Sequence, residues 1–444
     1  MKTAITFRNI NRIAIPATIA GIAEPILSLT DTAIVGNIPV NGLESLAAAG
    51  IVGSFLSMLI WVLGQTQSAI SAIMSQYLGA DRLEEVRSLP AQAIVLNIAL
   101  SFVILFSTVF FIEEIFVMME ASGKILDYCI SYYGIRIWGF PLSLFTFAIF
   151  GIFKGLQNTF WPMVIAITGA LLNLGLDFAL VYGIEGYVPA LYLEGAAWAS
   201  LIAQTVMAAM AFVLLLRKTD ISLKLRGPLH PELGRLVGMS LNLFVRSFAL
   251  NTALVLSVRE ATRLGDHFIG AHTIAINLWL FAAFFIDGYG TAGNVMGGRL
   301  LGAKNYDALW ELTKRIVRYG LVVSLLLIIG GVLFYGPIGR MFSKDTQVLQ
   351  SFGSIFFILL FALPINTVAF VLDGLFKGLG EMKFLRNLLL LATFLGFVPI
   401  MYIGNYFDWQ LYGIWAAFTF WMLIRASALV WKFNRKFRPL VQNV

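Results

Sequence analysis

Asp31, Asn173 and Asp177 are the residues of this chain whose types and spacing best suit chemistry. Each lies inside a long apolar run, where an ionisable group costs on the order of 3 kcal/mol and so needs a partner, an aqueous cavity or a task. Asn173 and Asp177 stand four apart on one helical face, and the amide can hydrogen-bond the carboxyl group in either protonation state. Glu24 and Asp31 are seven apart, two helical turns, and share a face that must look inward. Asp31 and Asp177 each sit about six residues, roughly 9 Å, before the outer end of their runs. If the two helices are neighbours, the acids face one cavity. Two carboxyl groups in a poorly hydrated site do not readily both ionise, and that describes a proton site.

Four further charges interrupt apolar runs: Arg136, Arg246, Asp287 and Asp373. Arg246, near the middle of the seventh run, needs a carboxylate, and Asp287 is the first acid expected to supply it. Taken singly, each acid could instead be a structural hydrogen-bond acceptor or a partner for Arg136 or Arg246. Pro16 and Pro25 bracket the inner half of the first run, and each removes a backbone donor, so a bend is expected there. The histidines are only His230, His267 and His272, and neither a zinc-type spacing nor a GxxxxGK phosphate loop occurs. No catalytic residue, resident metal or cofactor is therefore expected, and the work must come from an ion gradient. An intramembrane aspartyl hydrolase would pair Asp287 with Asp373, but their flanking residues do not resemble the motifs of such proteases.

The elements that position these groups follow from hydropathy. Apolar residues make up 59% of the 444-residue chain and charged residues 12%, so the solvent for most of the surface is lipid. Apolar runs near 12–37, 46–77, 91–112, 128–152, 161–183, 194–216, 234–259, 268–297, 316–336, 349–376, 384–405 and 411–431 predict an all-α polytopic membrane protein of about twelve spans. The run holding Glu24 and Asp31 reads as the first span, not a removed signal peptide. The net charge of +7 does not point to nucleic acid, because the basic residues sit in short connections. Their sidedness puts both termini in the cytoplasm, with Arg259 and Arg263 the exceptions. Cys129, the sole cysteine, provides no disulfide framework.

The chain also repeats itself. Gly151 to Leu156 matches Gly374 to Leu379, and Leu78-Gly79-Ala80 matches Leu301-Gly302-Ala303 at the same offset, as do Arg12 and Arg235. Leu193 to Ala199 resembles Leu411 to Ala417 at a slightly shorter one. Six spans per copy give the copies one orientation, with lobes expected at 1–216 and 234–444 and a cytoplasmic linker at 217–233.

Ile15-Pro16, Pro25 to Gly36, Leu78-Gly79-Ala80, Leu172 to Asp177, Arg246-Ser247, Asp287-Gly288-Tyr289 and Leu372-Asp373-Gly374 together resemble the multidrug and toxic compound extrusion family. The resemblance covers nearly the whole chain and points to the branch named after the DNA-damage-inducible protein F. It implies a V-shaped pair of six-helix lobes and export, by alternating access, of amphipathic, often cationic small molecules in exchange for protons or sodium. By position it implies coupling at Asp31, Asp177 and Asn173, with Glu24 nearby, and makes those first three the candidate sodium ligands. Asp287 and Asp373 match the branch's C-lobe acids. Phe150 departs from the pattern, standing where some members carry an asparagine. The expectation is a monomeric inner-membrane antiporter whose partners are lipid and small molecules. A flippase of lipid-linked precursors is the alternative, but it would favour a basic interior for pyrophosphate.

Overall fold

The computed structural model describes residues 5–39, 41–221, 223–225 and 228–441, apart from the side chains of Glu24, Ser28 and Leu29. Residues 222, 226 and 227 of the expected linker thus lie outside the described residues. In the first half come α1 (Phe7–Gly36), α2 (Gly42–Leu63), α3 (Thr66–Gly79), α4 (Leu89–Phe110), α5 (Ile112–Met118), α6 (Gly123–Arg136), α7 (Gly139–Gly155), α8 (Phe160–Val181) and α9 (Tyr192–Lys218). The second half has α10 (Pro231–Leu264), α11 (Asp266–Gly302), α12 (Tyr306–Leu333), α13 (Tyr335–Phe342), α14 (Thr346–Gly378), α15 (Met382–Leu391), α16 (Val398–Tyr406) and α17 (Gln410–Phe437). Among the described residues there are 11 spans long and apolar enough to cross a bilayer, and the bent pair α6 and α7 makes a twelfth. Each of the twelve apolar runs falls on one of these spans.

Three spans are interrupted, each where the sequence removes a helical constraint. Gly64 and Gln65 separate α2 from α3 within one 38-residue span. Between α6 and α7 the axis bends by 45°, just before Pro141, whose ring crowds the carbonyl four residues earlier and offers no N–H. A π-helical segment, Ala392–Phe397, joins α15 to α16 ahead of Pro399, which likewise leaves a carbonyl without its usual donor. By contrast α1 is continuous through Pro16 and Pro25.

Two compact units divide the described chain. The N-terminal unit comprises residues 19–74 and 82–238, and the C-terminal unit residues 1–18, 75–81 and 239–444. The division therefore differs from one at 217–233 in three short segments: 1–18 and 75–81, which pack with the C-terminal half, and 234–238, which fall in the N-terminal unit. The chain passes from one unit to the other inside α1, two residues beyond Pro16.

Glycines show why 75–81 packs as it does, and they display the repeat physically. A Cβ at Gly79 would collide with the carbonyl oxygen of Arg299, and one at Gly302 with that of Gln76. Gly79 and Gly302 are equivalent positions in the two copies, as are Gln76 and Arg299, so the contact is reciprocal. Gln76 Nε2 also donates to the carbonyl of Gly378 at 2.8 Å. The matched GIFKGL and GLFKGL segments repeat a second contact. Gly151 brings α7 onto the Gln67 carbonyl of α3 as Gly374 brings α14 onto the Gly290 carbonyl of α11. Gly155 against Ser71 is copied by Gly378 against Asn294. Close helix approach through small residues is how membrane helices gain packing without a hydrophobic drive. The outer faces carry exposed Phe106, Phe110, Leu326 and Phe361, as expected where lipid is the solvent.

Candidate ion-coupling site

Within the N-terminal unit, α1 presents Asp31 and α8 presents Asn173 and Asp177 to one another. The α8 pair shares a face because four residues complete about one turn. Asn173 Nδ2 donates to Asp31 Oδ1 at 3.1 Å and also to Asp177 Oδ2. Asp177 is fully buried, Asn173 nearly so, and Asp31 half-buried. The second oxygen of Asp177 has no hydrogen-bond partner. A carboxylate oxygen left in this state is costly, and a shared proton would relieve it. Asp31 and Asn173 line a cavity of about 220 Å³, whose wall is otherwise largely apolar and includes Leu27, Leu56, Phe147, Phe150 and Met207. Gly169 leaves room for Met207, because a Cβ there would strike its sulfur.

One base shares the cavity. Arg136, the last residue of α6, donates through Nη1 to Ser200 Oγ on α9, and its guanidinium lies 5.7 Å from the centre of the Tyr132 ring. Its Nε is buried without a partner, and among the described residues Arg136 forms no ion pair with either acid. The charge set is therefore two carboxyl groups and one fixed cation. With one proton bound the set is neutral, and with none it carries one net negative charge that suits a monovalent cation.

The C-terminal unit contains a different cluster. Arg246 of α10 pairs with Asp373 of α14 at 2.7 Å, so its partner is Asp373 and not Asp287. Lys377 and Arg425 also face Asp373, at 3.3 Å and 3.6 Å. Asp287 is exposed and, among the described residues, forms no ion pair or hydrogen bond. Glycines next to it in α11 make close contacts. Gly288 packs on Ala14 and Thr18 of α1, and Gly290 on Phe370 of α14.

Beside this geometry stand the comparisons with known proteins. The family model MatE matches residues 16–179 and 243–403. The chain belongs to the multidrug and toxic compound extrusion (MATE) family. It is a multi-pass membrane protein of a transporter family, not an enzyme. It is 25% identical to DNA damage-inducible protein F of Escherichia coli (strain K12) over 96% of this chain and 92% of that protein. Protein DETOXIFICATION 43 of Arabidopsis thaliana is 26% identical over 69% of this chain, but the match spans only 57% of that relative's length. The fold matches a crystal structure of MATE in the bent conformation with a TM-score of 0.89, at 21% identity, covering 98% of this chain and 96% of that one.

On the MATE scaffold the expected residues separate into two groups. Asp31, Asn173 and Asp177 meet through the Asn173 amide, and Asp31, Asn173 and Phe150 line one cavity. Glu24 lies in α1 with its side chain outside the described residues, and among those described no cluster of His, Cys, Asp or Glu could hold a metal ion. Arg246 and Asp373 meet in the other unit. A buried cation that the sequence analysis does not single out is Arg425, at 2% exposure in α17. The signal for it was present as a lone arginine flanked by Met422-Leu423-Ile424 and Ala426. Lys377 was legible only as part of the repeated GLFKGL segment.

Proposed function

We propose that this chain is a secondary antiporter that exports amphipathic, cationic small molecules in exchange for protons, with sodium as the alternative coupling ion. The observation that carries the reading is the amide of Asn173 bridging two carboxyl groups at an apolar cavity. Asp31 is the switch, because it lines the cavity and lies on the helix along which the chain changes from one unit to the other. Asp177 and Asn173 tune it. A proton on the pair neutralises the site and removes the charge that holds a cationic substrate, and loss of the proton restores it. Exchange follows if the two occupants compete for the same site on opposite sides of the membrane. The apolar wall, with aromatic and Met side chains, suits a polarisable amphipathic cargo. The protein works as a monomer in the inner membrane with both termini in the cytoplasm, and no cofactor is needed.

Transport of a fluorescent cation into proteoliposomes, under proton and sodium gradients imposed separately, tests this reading. Accumulation driven by the proton gradient alone is expected. Equal flux with every ion gradient collapsed would contradict it, and accumulation driven by sodium alone would reassign the coupling ion.

A further inference from the structure

We propose that the C-terminal unit binds a small monovalent anion of halide size beside Arg246 and Arg425. Three bases, Arg246, Lys377 and Arg425, converge on the single carboxylate of Asp373. The cluster carries two net positive charges, and Arg246, Asp373 and Arg425 are each at least nine-tenths buried, at 6%, 6% and 2% exposure. Arg246 Nε has no hydrogen-bond partner, and Arg425 Nη2, 3.6 Å from Asp373, makes that ion pair without a hydrogen bond. Another Arg425 nitrogen, Nη1, is left to the sulfur of Met422 at 3.1 Å, and the guanidinium otherwise faces the rings of Trp421 and Phe370. Asn366, two turns before Asp373 on the same face of α14, is 1% exposed with neither amide atom partnered. Buried uncompensated charge is among the costliest features a protein can carry, and a bound anion is what these donors lack.

The repeat places this cluster at the counterpart of the N-terminal cavity. The positions equivalent to Arg246, Asn366, Asp373 and Arg425 in the first copy are Ala23, Ser143, Phe150 and Met207, and all four line the N-terminal cavity. The second copy therefore places its charges where the first has an uncharged part of the cavity wall. Acids serve the first site, and bases dominate the second. Because larger or more polar side chains fill the second site, its ligand is a single dehydrated ion and not an organic molecule. Guanidinium groups, with their weak hydration and fixed donors, suit such an ion.

Thermal unfolding of the purified full-length protein in detergent provides the test, with chloride exchanged for gluconate at constant sodium and ionic strength. The midpoint should rise saturably with chloride, as it does for any ligand that binds only the folded state. Crystals grown with bromide should give an anomalous peak beside Arg246 and Arg425. Arg425→Met, which installs the residue of the equivalent position in the first copy, should raise the half-effective chloride concentration about tenfold or more, and Asp373→Asn should lower it about tenfold by removing the competing carboxylate. A merely structural cluster would lose stability in both variants without altering its response to chloride. Equal midpoints in chloride and gluconate, or bromide absent from the cluster in wild-type crystals, would overturn the proposal even if neither variant folds.

Discussion

The side-chain amide of Asn173 donates to Asp31 across 3.1 Å from a separate helix, and the same nitrogen reaches Asp177. An amide at this position holds two acids together without adding charge of its own. It can donate to a carboxylate or, more weakly, to the carbonyl oxygen of a protonated acid, so the arrangement tolerates a change in proton number. Asn173→Ala should leave the two carboxyl groups without their bridge. Substrate affinity measured at two pH values should then lose most of its pH dependence while the protein remains inserted. Unchanged pH dependence would mean that Asn173 is incidental.

The ion pair of Arg246 with Asp373 predicts a coupling between the two side chains. Arg246→Ala should cost about 3 kcal/mol of stability, and a double-mutant cycle with Asp373→Asn should give a coupling of about 1–3 kcal/mol. The same cycle with Asp287→Asn should be additive, because Asp287 does not reach Arg246. Additive losses in the first cycle would remove the pair from the description.

Gly79 and Gly302 should be far less tolerant of a methyl group than Gly50. Gly79→Ala or Gly302→Ala forces a Cβ into a backbone carbonyl that cannot swing aside, with an expected loss of about 1–3 kcal/mol. Gly50 lies in α2 with nothing within 4 Å of an added Cβ, so Gly50→Ala should be neutral or stabilising by up to about 1 kcal/mol. Thermal midpoints in detergent distinguish the two cases, and equal effects would contradict the close packing.

Much of this was legible in the sequence, and the exceptions have physical causes. Span positions follow from the length of apolar runs, which the thickness of a bilayer sets directly. Asn173 and Asp177 were legible as a pair because four residues fix a shared face, and Asp31 joined them because it lies at a matching depth. Arg246 was a different case. Depth along a helix does not fix the rotational phase of its neighbours, so sequence alone could not choose between Asp287 and Asp373. The choice depends on which carboxylate faces Arg246, and that is a property of packing. The assignment of residues 75–81 to the C-terminal unit depends in the same way on glycine contacts across many residues of chain.

Sidedness is open to a chemical check. In a Cys129→Ala background, single cysteines at Asn41 and Asp408 should react with an impermeant maleimide added from outside, and one at Lys224 should not, because basic residues concentrate on the cytoplasmic side. The reverse pattern would invert the topology.

The role of Asp31 is most directly tested by purified, correctly inserted Asp31→Asn in proteoliposomes. The amide mimics the protonated acid without removing its hydrogen-bonding capacity, so the protein should fold. Proton-driven accumulation of a fluorescent cation should be abolished, and binding of that cation should no longer vary with pH. Asp177→Asn, measured beside it, should reduce transport less. Full proton-driven transport by Asp31→Asn would contradict the assignment and move the coupling to Asp287 or Asp373.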